Sequence, residues 1–197
     1  PQLVVAQAKS VLEDQPVAAI KLGLLGNIAV GEAVAALLRD WPAIPLVVDP
    51  VLVAGGGGAL AEASLTRTYL ERLFPLAALV TPNALESRRL APAATDAAGR
   101  AATLLDAGCH HVLLKGADED TPEVLNTLFS ADGAQKEFRW PRLSGSYHGS
   151  GCTLASAIAA LLANGVPMHE AVSDAQRFTW DALQQGWRTG KRQAIPG

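Results

Sequence analysis

The sequence predicts an α/β protein with three layers, in which helices cover both faces of a mostly parallel sheet. Two observations lead to this prediction. Short β-branched runs alternate with longer segments whose apolar residues recur at helical spacing, and the alternation continues through most of the chain. The 197 residues fit one domain, and an apolar share of 49% is enough to build a sizeable core. We therefore expect residues 1–197 to form a single domain.

The first half of the chain alternates between helical and strand patterns. In order, the patterns predict a helix over residues 3–12, a strand over 17–20, a helix over 29–39, a strand over 46–49 and a helix over 64–72 that Ser64 can cap. Pro1 suits the first turn of the first helix, where an N–H would have no helical partner. The run Leu46-Val47-Val48 is apolar without interruption and stops before Pro50, which is typical of a buried strand.

The second half repeats the alternation and adds a pair of strands that resembles a hairpin. In order, the patterns predict a strand over 77–80, a helix over 83–90, a helix from Thr95 or Asp96 to Ala107, strands over 111–114, 126–129 and 136–140, a long helix over 152–163 and a last helix over about 169–185. Asn83 and Asp96 are typical helix caps. Gly108 and Gly165 stand where helices are expected to end.

Composition and charge exclude several classes of protein. A net charge of −3 and scattered basic residues argue against nucleic acid or an anionic membrane as the main partner. No apolar run approaches the ~18 residues of a transmembrane helix. The only cysteines, Cys109 and Cys152, do not make a disulfide framework, so we predict a cytoplasmic chain with reduced thiols. The start at Pro1, without an initiator Met, leads us to expect a fragment that lacks its natural N-terminus.

The segment Gly149-Ser150-Gly151-Cys152 precedes an apolar helix and is a candidate anion site. Its two glycines allow a tight turn and a close approach to a ligand. The first amides of a helix have no internal partner, and the helix dipole is positive at that end, so phosphate binds there readily. The pattern alone is weak, because a glycine turn before a core helix, with Cys152 as a small buried hydrophobe, looks the same.

Polar residues also follow three predicted strands, where ligands bind in a sheet of this kind. Asp49 ends one strand, Asn83 and Glu86 follow another, and Lys115 stands before Gly116 at the end of a third. Each has a second explanation. Asp49 is either a turn residue or a group that holds Mg2+ or a substrate hydroxyl. Glu86 completes a capping box with Asn83, and Lys115 in isolation reads as a surface lysine.

Other chemistry finds less support in the sequence. The histidines have no metal spacing paired with cysteine, which argues against a zinc site. There is no Walker A motif, so an ordinary P-loop kinase is excluded. His148 and Cys152 are close enough in sequence to suggest a thiol hydrolase, but the strained Gly-x-Cys-x-Gly turn of such enzymes is missing.

Five short motifs occur here in an order and spacing that a known family shares. They are Lys21-Leu22-Gly23-Leu24-Leu25-Gly26, Val48-Asp49-Pro50-Val51, Thr81-Pro82-Asn83-Ala84-Leu85-Glu86, Leu114-Lys115-Gly116 and His148-Gly149-Ser150-Gly151-Cys152-Thr153. Together they resemble the hydroxymethylpyrimidine/phosphomethylpyrimidine kinases, the thiamine-pathway branch of the ribokinase-like superfamily, over nearly the whole chain. Cys152 favours this branch because most other members of the superfamily carry Asp at that position.

The resemblance implies a ribokinase-like fold and a catalytic wall built by the last motif. Cys152 would lie near the hydroxymethyl group of the substrate. The anion hole for the transferred phosphoryl group would come from Gly149, Ser150 and Gly151. The residues expected on the ATP side are Lys115, which would approach the phosphates, together with Glu86, Asn83 and Thr81.

The resemblance also implies a metal and a substrate pocket. Glu86 and Asp49 would organise Mg2+ through water, while Leu24 and Val51 would line the pyrimidine pocket. Two positions depart mildly from the family: Leu24 replaces the usual Met, and Ala117 replaces a second glycine. A larger departure is that the family's opening strand and its glycine-rich, Asp-containing segment have no counterpart before Pro1.

The resulting hypothesis is ATP-dependent phosphorylation of 4-amino-5-hydroxymethyl-2-methylpyrimidine and then of its monophosphate. Pyridoxal kinase is the main alternative, since pyridoxal also carries a hydroxymethyl group on an aromatic nitrogen ring. A truncated remnant without catalysis, and a thiol hydrolase that uses Cys152 and His148, are alternatives of other classes. The family tends toward dimers, so a homodimer is possible.

Overall fold

The computed structural model describes residues 1–52, 65–188 and 193–197. Its centre is a six-stranded sheet whose strands lie in the order of the sequence. The strands are β1 (Ile20–Leu22), β2 (Leu46–Val48), β3 (Leu79–Val80), β4 (His111–Leu114), β5 (Glu123–Ser130) and β6 (Gln135–Pro141). The first four are parallel, whereas β5 and β6 add an antiparallel hairpin beside β4. The mostly parallel sheet and the late hairpin are both confirmed.

Seven α-helices surround this sheet in the described part of the chain. They are α1 (Gln2–Asp14), α2 (Ile28–Leu38), α3 (Leu65–Thr68), α4 (Ala84–Leu90), α5 (Ala97–Asp106), α6 (Ser150–Ala163) and α7 (Met168–Gln184). The expected caps are in place, because Asn83 accepts from the backbone of Glu86 and Asp96 accepts from that of Gly99. The expected cap Ser64 lies outside the described residues. No helix among the described residues is long and apolar enough to cross a membrane.

The strand side chains alternate between two separate cores, which confirms the three-layer architecture. Val47, Leu79 and Leu113 point to one face, where they pack with α6 and α7. Their neighbours Val48, Val80 and Val112 point to the other face, where they pack with α2, α5 and the segment that follows α3. A strand buried on both faces needs the uninterrupted apolar runs that the sequence contains.

Several element boundaries differ from the sequence prediction. The first strand is Ile20–Leu22, later than predicted, because Ile20 pairs with Leu46 and Leu22 with Val48. The helix predicted over 64–72 starts as α3 but continues as a π-helical turn, Tyr69–Leu73, and a 3-10 turn, Phe74–Leu76. The long helix α6 begins at Ser150, so Ser150 and Gly151 belong to its first turn rather than to the preceding loop.

Candidate active site

The carboxyl ends of three neighbouring strands bring distant residues together. Asp49, Thr81 and Lys115 directly follow β2, β3 and β4. Their backbone amides extend the pairing beyond the strands, since Asp49 N donates to Leu22 O at 2.8 Å and Thr81 N donates to Val48 O at 2.9 Å. This edge is where a parallel sheet presents its ligand-binding residues.

Asp49 is the buried centre of a polar cluster. Its side chain is only 2% exposed, and its Oδ1 lies 2.9 Å from the Nζ of Lys115. The Thr81 hydroxyl donates to the same oxygen at 3.2 Å. On the other side, Lys21 Nζ lies 3.8 Å from Asp49 Oδ2. Asp49 is thus a carboxylate held between two ammonium groups, which offsets the cost of its burial.

The electrostatics keep this pair charged at neutral pH. Burial alone raises the pKa of Asp49, but the Lys115 ammonium, with Lys21 and the Thr81 hydroxyl, outweighs burial and holds that pKa below its usual value. Burial alone lowers the pKa of Lys115, but the carboxylates of Asp49 and Glu86 reverse this and raise it. For Glu86 the balance differs, because burial raises its pKa and Lys115 offsets only part of that effect.

The amino end of α6 meets this cluster through Gly151. A Cβ at Gly151 would lie 2.9 Å from Lys115 Nζ, so the absence of a side chain lets the ammonium rest against the helix. Gly149, the N-cap, has a φ of +86°, and α6 has no side-chain cap among the described residues. The first amides of α6 and the Lys115 ammonium therefore face the same place, and both favour an anion there.

Cys152 is exposed in the first turn of α6 and contacts the same cluster. Its Sγ lies 3.8 Å from Asp49 Oδ2, within hydrogen-bonding reach of a thiol. The sequence alternative in which Cys152 is a small buried hydrophobe is therefore wrong. His148 is exposed, and no hydrogen bond joins it to Cys152 in the part of the chain that the structure describes.

Glu86 and Asn83 form the capping box that the sequence allowed. Asn83 Oδ1 accepts from Glu86 N at 2.7 Å, while Glu86 Oε2 accepts from Asn83 N at 2.8 Å. Asp118 adds a second anion at this helix end by accepting from the amides of Ala84 and Leu85 at 3.2 and 3.0 Å. The amino end of α4 is therefore occupied by the protein itself.

The burial of the expected metal pair, Glu86 and Asp49, disfavours direct contact with Mg2+, and the expected contact through water stays a prediction. Both oxygens of Asp49 already face Lys115, Thr81, Lys21 or Cys152, and Glu86 is only 3% exposed. In the described part of the chain, no group of three or more His, Cys, Asp or Glu side chains could hold a metal ion. Asp49 and Glu86 thus do not fit direct coordination of Mg2+, since that ion demands open carboxylate oxygens.

Three other expected site residues lie in different surroundings. Thr81 is fully buried and its hydroxyl donates to Asp49, so its side chain supports that carboxylate; its expected place on the ATP side stays a prediction. Leu24 and Val51 follow the paired strands β1 and β2 on the same edge of the sheet. Leu24 is 49% exposed and Val51 partly buried, so both side chains offer apolar surface at this edge.

A cavity of about 470 Å³ opens beside the cluster, between the hairpin β5–β6 and the helices α6 and α7. One end contains Lys115, Ser150 and Gly151, and the other contains the indole rings of Trp140 and Trp180. These rings lie with centroids 6.2 Å apart. Sequence reasoning missed this far wall, although tryptophan in a chain with only 5% aromatic residues was a signal that could have been followed.

Gly116 is a position of the site that leaves no room for a side chain. A Cβ there would lie 2.3 Å from the carbonyl oxygen of Leu125, in the backbone of β5. We expect Gly116→Ala to lower the free energy of unfolding by about 1–3 kcal/mol, because the two backbones must separate. Urea unfolding measures this loss. Ala117→Ser, at the exposed neighbouring position, is the control and should change the free energy of unfolding by less than about 0.5 kcal/mol. An unchanged midpoint for Gly116→Ala would show that β5 moves away at no cost.

Comparison with known proteins identifies the family. The family model described as Phosphomethylpyrimidine kinase matches residues 1–196. This chain belongs to that family. One relative is the hydroxymethylpyrimidine/phosphomethylpyrimidine kinase of Rhizobium meliloti. It is 36% identical to this family member, over 92% of this chain and 70% of the relative.

Two further matches define how far the likeness extends. The thiamine biosynthesis bifunctional protein ThiED of Geobacter sulfurreducens is 40% identical over 97% of this chain, which spans only 40% of that protein. The structure of the pyridoxal kinase from Staphylococcus aureus in complex with ADP superimposes with a TM-score of 0.89 at 28% identity, covering 100% of this family member and 73% of that chain. This likeness confirms the ribokinase-like fold.

Proposed function

We propose that this chain transfers the terminal phosphoryl group of ATP to 4-amino-5-hydroxymethyl-2-methylpyrimidine and to its monophosphate. The observation that carries the proposal is the contact between Lys115 and Gly151, which aims an ammonium group and the amino end of α6 at one point. Phosphoryl transfer depends on positioning and on neutralising charge rather than on covalent chemistry. Lys115 and the amino end of α6 can together position a phosphoryl group and neutralise its charge.

The cavity gives the nucleotide a place and a direction. Its volume of about 470 Å³ suits a small-molecule ligand. The indole rings of Trp140 and Trp180 and the side chain of Leu154 offer an apolar end for the base, while Lys115 and Gly151 form the end for the phosphates. In this arrangement the transferred group lies at the first turn of α6.

The acceptor hydroxyl belongs beside Cys152. The exposed thiol lies at the phosphate end, and its Sγ is 3.8 Å from the Asp49 carboxylate, which can accept a hydrogen bond from the thiol and orient it. Gly149, Ser150 and Gly151 place backbone amides around the transferred oxygens. Leu24 and Val51 lie at the same sheet edge and offer apolar surface for the pyrimidine ring.

Mg2+ would enter with the nucleotide in this proposal. It would neutralise phosphate charge, and Glu86 and Asp49 would act on it through water, as both are buried and bonded to protein groups. The predicted homodimer and the cytoplasmic location stay predictions.

Pyridoxal kinase is the second candidate, favoured by the close superposition on the Staphylococcus aureus enzyme. The sequence favours the pyrimidine, because the relatives at 36–40% identity are named for thiamine biosynthesis or for the pyrimidine kinase. The two substrates share a hydroxymethyl group on an aromatic nitrogen ring, so the contact between Lys115 and Gly151 serves either one.

A competition assay tests the proposal. The protein is supplied with ATP, Mg2+ and equal amounts of the hydroxymethylpyrimidine and pyridoxal, and both phosphorylated products are quantified. Preference for the pyrimidine supports the proposal, and preference for pyridoxal overturns it in favour of the alternative. Binding of ATP without transfer to either acceptor would identify a non-catalytic remnant. Hydrolysis of an acyl ester with no need for ATP, lost in Cys152→Ala, would identify a thiol hydrolase.

A further inference from the structure

Two buried amide side chains connect the aromatic end of the cavity with the turn that carries Lys115. Gln176 Oε1 accepts from Trp140 Nε1 at 3.1 Å and from Asn126 Nδ2 at 2.7 Å. Asn126 Oδ1 in turn accepts from the backbone amide of Gly116 at 3.0 Å. A continuous chain of hydrogen bonds therefore runs from the Trp140 indole to the residue next to Lys115.

The direction of every bond in this chain is determined by its two ends. The indole N–H of Trp140 and the backbone N–H of Gly116 can only donate, so the amides must present oxygen to both. Asn126 meets this requirement by turning its oxygen to Gly116 and its nitrogen to Gln176. The nitrogen of Gln176 is left to donate to Val172 O, at 3.2 Å along α7. Only one orientation of each amide satisfies all partners.

The two amides line the cavity, yet their polar atoms are already used by the protein. Asn126 is 6% exposed and Gln176 is 3% exposed, and each of their oxygen and nitrogen atoms has a partner. Each amide nitrogen keeps a second N–H and Asn126 Oδ1 keeps a second lone pair, but the burial of both side chains leaves little of these atoms open to a ligand. The two amides are therefore poorly suited to bind a ligand directly. Their hydrogen bonds suit them instead to hold Trp140 and Gly116 in place.

We infer that Gln176 and Asn126 are positioning residues, which set the Trp140 ring and the Lys115-Gly116 turn relative to each other. This inference rests on the proposed placement of a nucleotide in the cavity. Trp140 would contact the base and Lys115 the phosphates, so the amides fix the spacing between the two ends of the nucleotide site. Gly116 also lies close to the backbone of Leu125, the neighbour of Asn126 in β5, so two consecutive residues of β5 hold the turn.

The test replaces Gln176 by an apolar side chain of similar length. Gln176→Met leaves the donors of Trp140 and Asn126 without their acceptor, so we expect the KM for ATP to rise about tenfold with kcat within about twofold of wild type. The KM for the pyrimidine acceptor should not change. Gln184→Met, at an exposed position of the same helix, is the matched control and should leave all three constants unchanged.

A second variant distinguishes positioning from a general loss of structure. Trp140→Phe keeps an aromatic ring but removes the donor, so it should raise the KM for ATP by about threefold. When Gln176→Met is combined with Trp140→Phe, it should raise the KM for ATP by a smaller factor than it does in the wild type, because the Trp140 donor that would lose its acceptor is no longer present. Effects that multiply without interaction, or an unchanged KM in Gln176→Met, would overturn the inference. If Gln176→Met does not fold, Trp140→Phe alone tests the inference, and an unchanged KM for ATP in that variant contradicts the positioning role.

Calorimetry with a non-hydrolysable ATP analogue separates this inference from the proposed function. If the wild-type protein does not bind the analogue, the nucleotide site itself is wrong. If the wild type binds it and Gln176→Met binds it equally well, the site stands and the positioning role is wrong. Weaker binding by Gln176→Met, with binding by Gln184→Met unchanged, supports both.

Discussion

Lys115→Met is expected to remove phosphoryl transfer and to lower the free energy of unfolding by about 3–5 kcal/mol. The substitution leaves the Asp49 carboxylate 2% exposed, with Lys21 at 3.8 Å as its remaining cationic neighbour. Breaking a buried ion pair by removing one partner typically costs this much, because the remaining charge is left without compensation. Urea unfolding measures the stability, and ATP-dependent product formation measures the activity.

The double variant Asp49→Asn with Lys115→Met separates these two losses. The double variant removes the uncompensated carboxylate charge, so most of the lost stability should be recovered. Activity should not be recovered, because the ammonium that faces Gly151 is still missing. Lys9→Met is the control, because its ion pair with Glu13 is exposed on α1 and should contribute less than about 1 kcal/mol. Full stability of Lys115→Met alone would contradict the buried pair.

Cys152→Ala is expected to lower kcat about 100-fold while the KM for ATP stays within about twofold. The thiol is exposed in the first turn of α6, beside Asp49 and on the acceptor side of the proposed phosphate site. Removing it should therefore affect the chemical step more than nucleotide binding. Steady-state kinetics with ATP as the varied substrate measures both constants.

The matched variant and a labelling control support this reading of Cys152. Cys152→Ser retains a hydroxyl that can reach Asp49 and should lose less turnover than Cys152→Ala. In the folded protein a thiol reagent should modify Cys152 alone, because Cys109 is buried, donates to Leu104 O, and has a pKa that burial raises to about 12. Unchanged turnover in Cys152→Ala would rule out a catalytic role.

The sequence was sufficient for the layered fold and for most of the element order. Uninterrupted apolar runs, helical spacing and capping residues act within a few positions, so each can be recognised locally. The capping box of Asn83 and Glu86 spans three residues and was recognisable for the same reason. Boundaries were less certain, since β1 begins where it meets β2 rather than where its own apolar run begins.

The sequence predicted which residues belong to the candidate site but not how they are arranged. Motif order placed Asp49, Lys115 and Cys152 at strand and helix ends, and the structure brings these three together. The contacts also give structural roles to two other members of the motifs. Glu86 caps a helix, Thr81 supports Asp49 from within the core, and the tryptophan wall of the cavity had no part in the motif pattern.

By itself, then, the sequence determined an α/β sheet with an anion-binding helix start and a set of polar strand ends. Only the tertiary structure decided that Asp49 lies between two lysines, and that Gln176 and Asn126 join the two ends of a cavity. The physical reason is distance along the chain. Asp49 pairs with Lys115 across 66 positions and with Cys152 across 103, and Asn126 meets Gln176 across 50. Burial and charge balance at such contacts depend on the folded sheet, which no local pattern encodes.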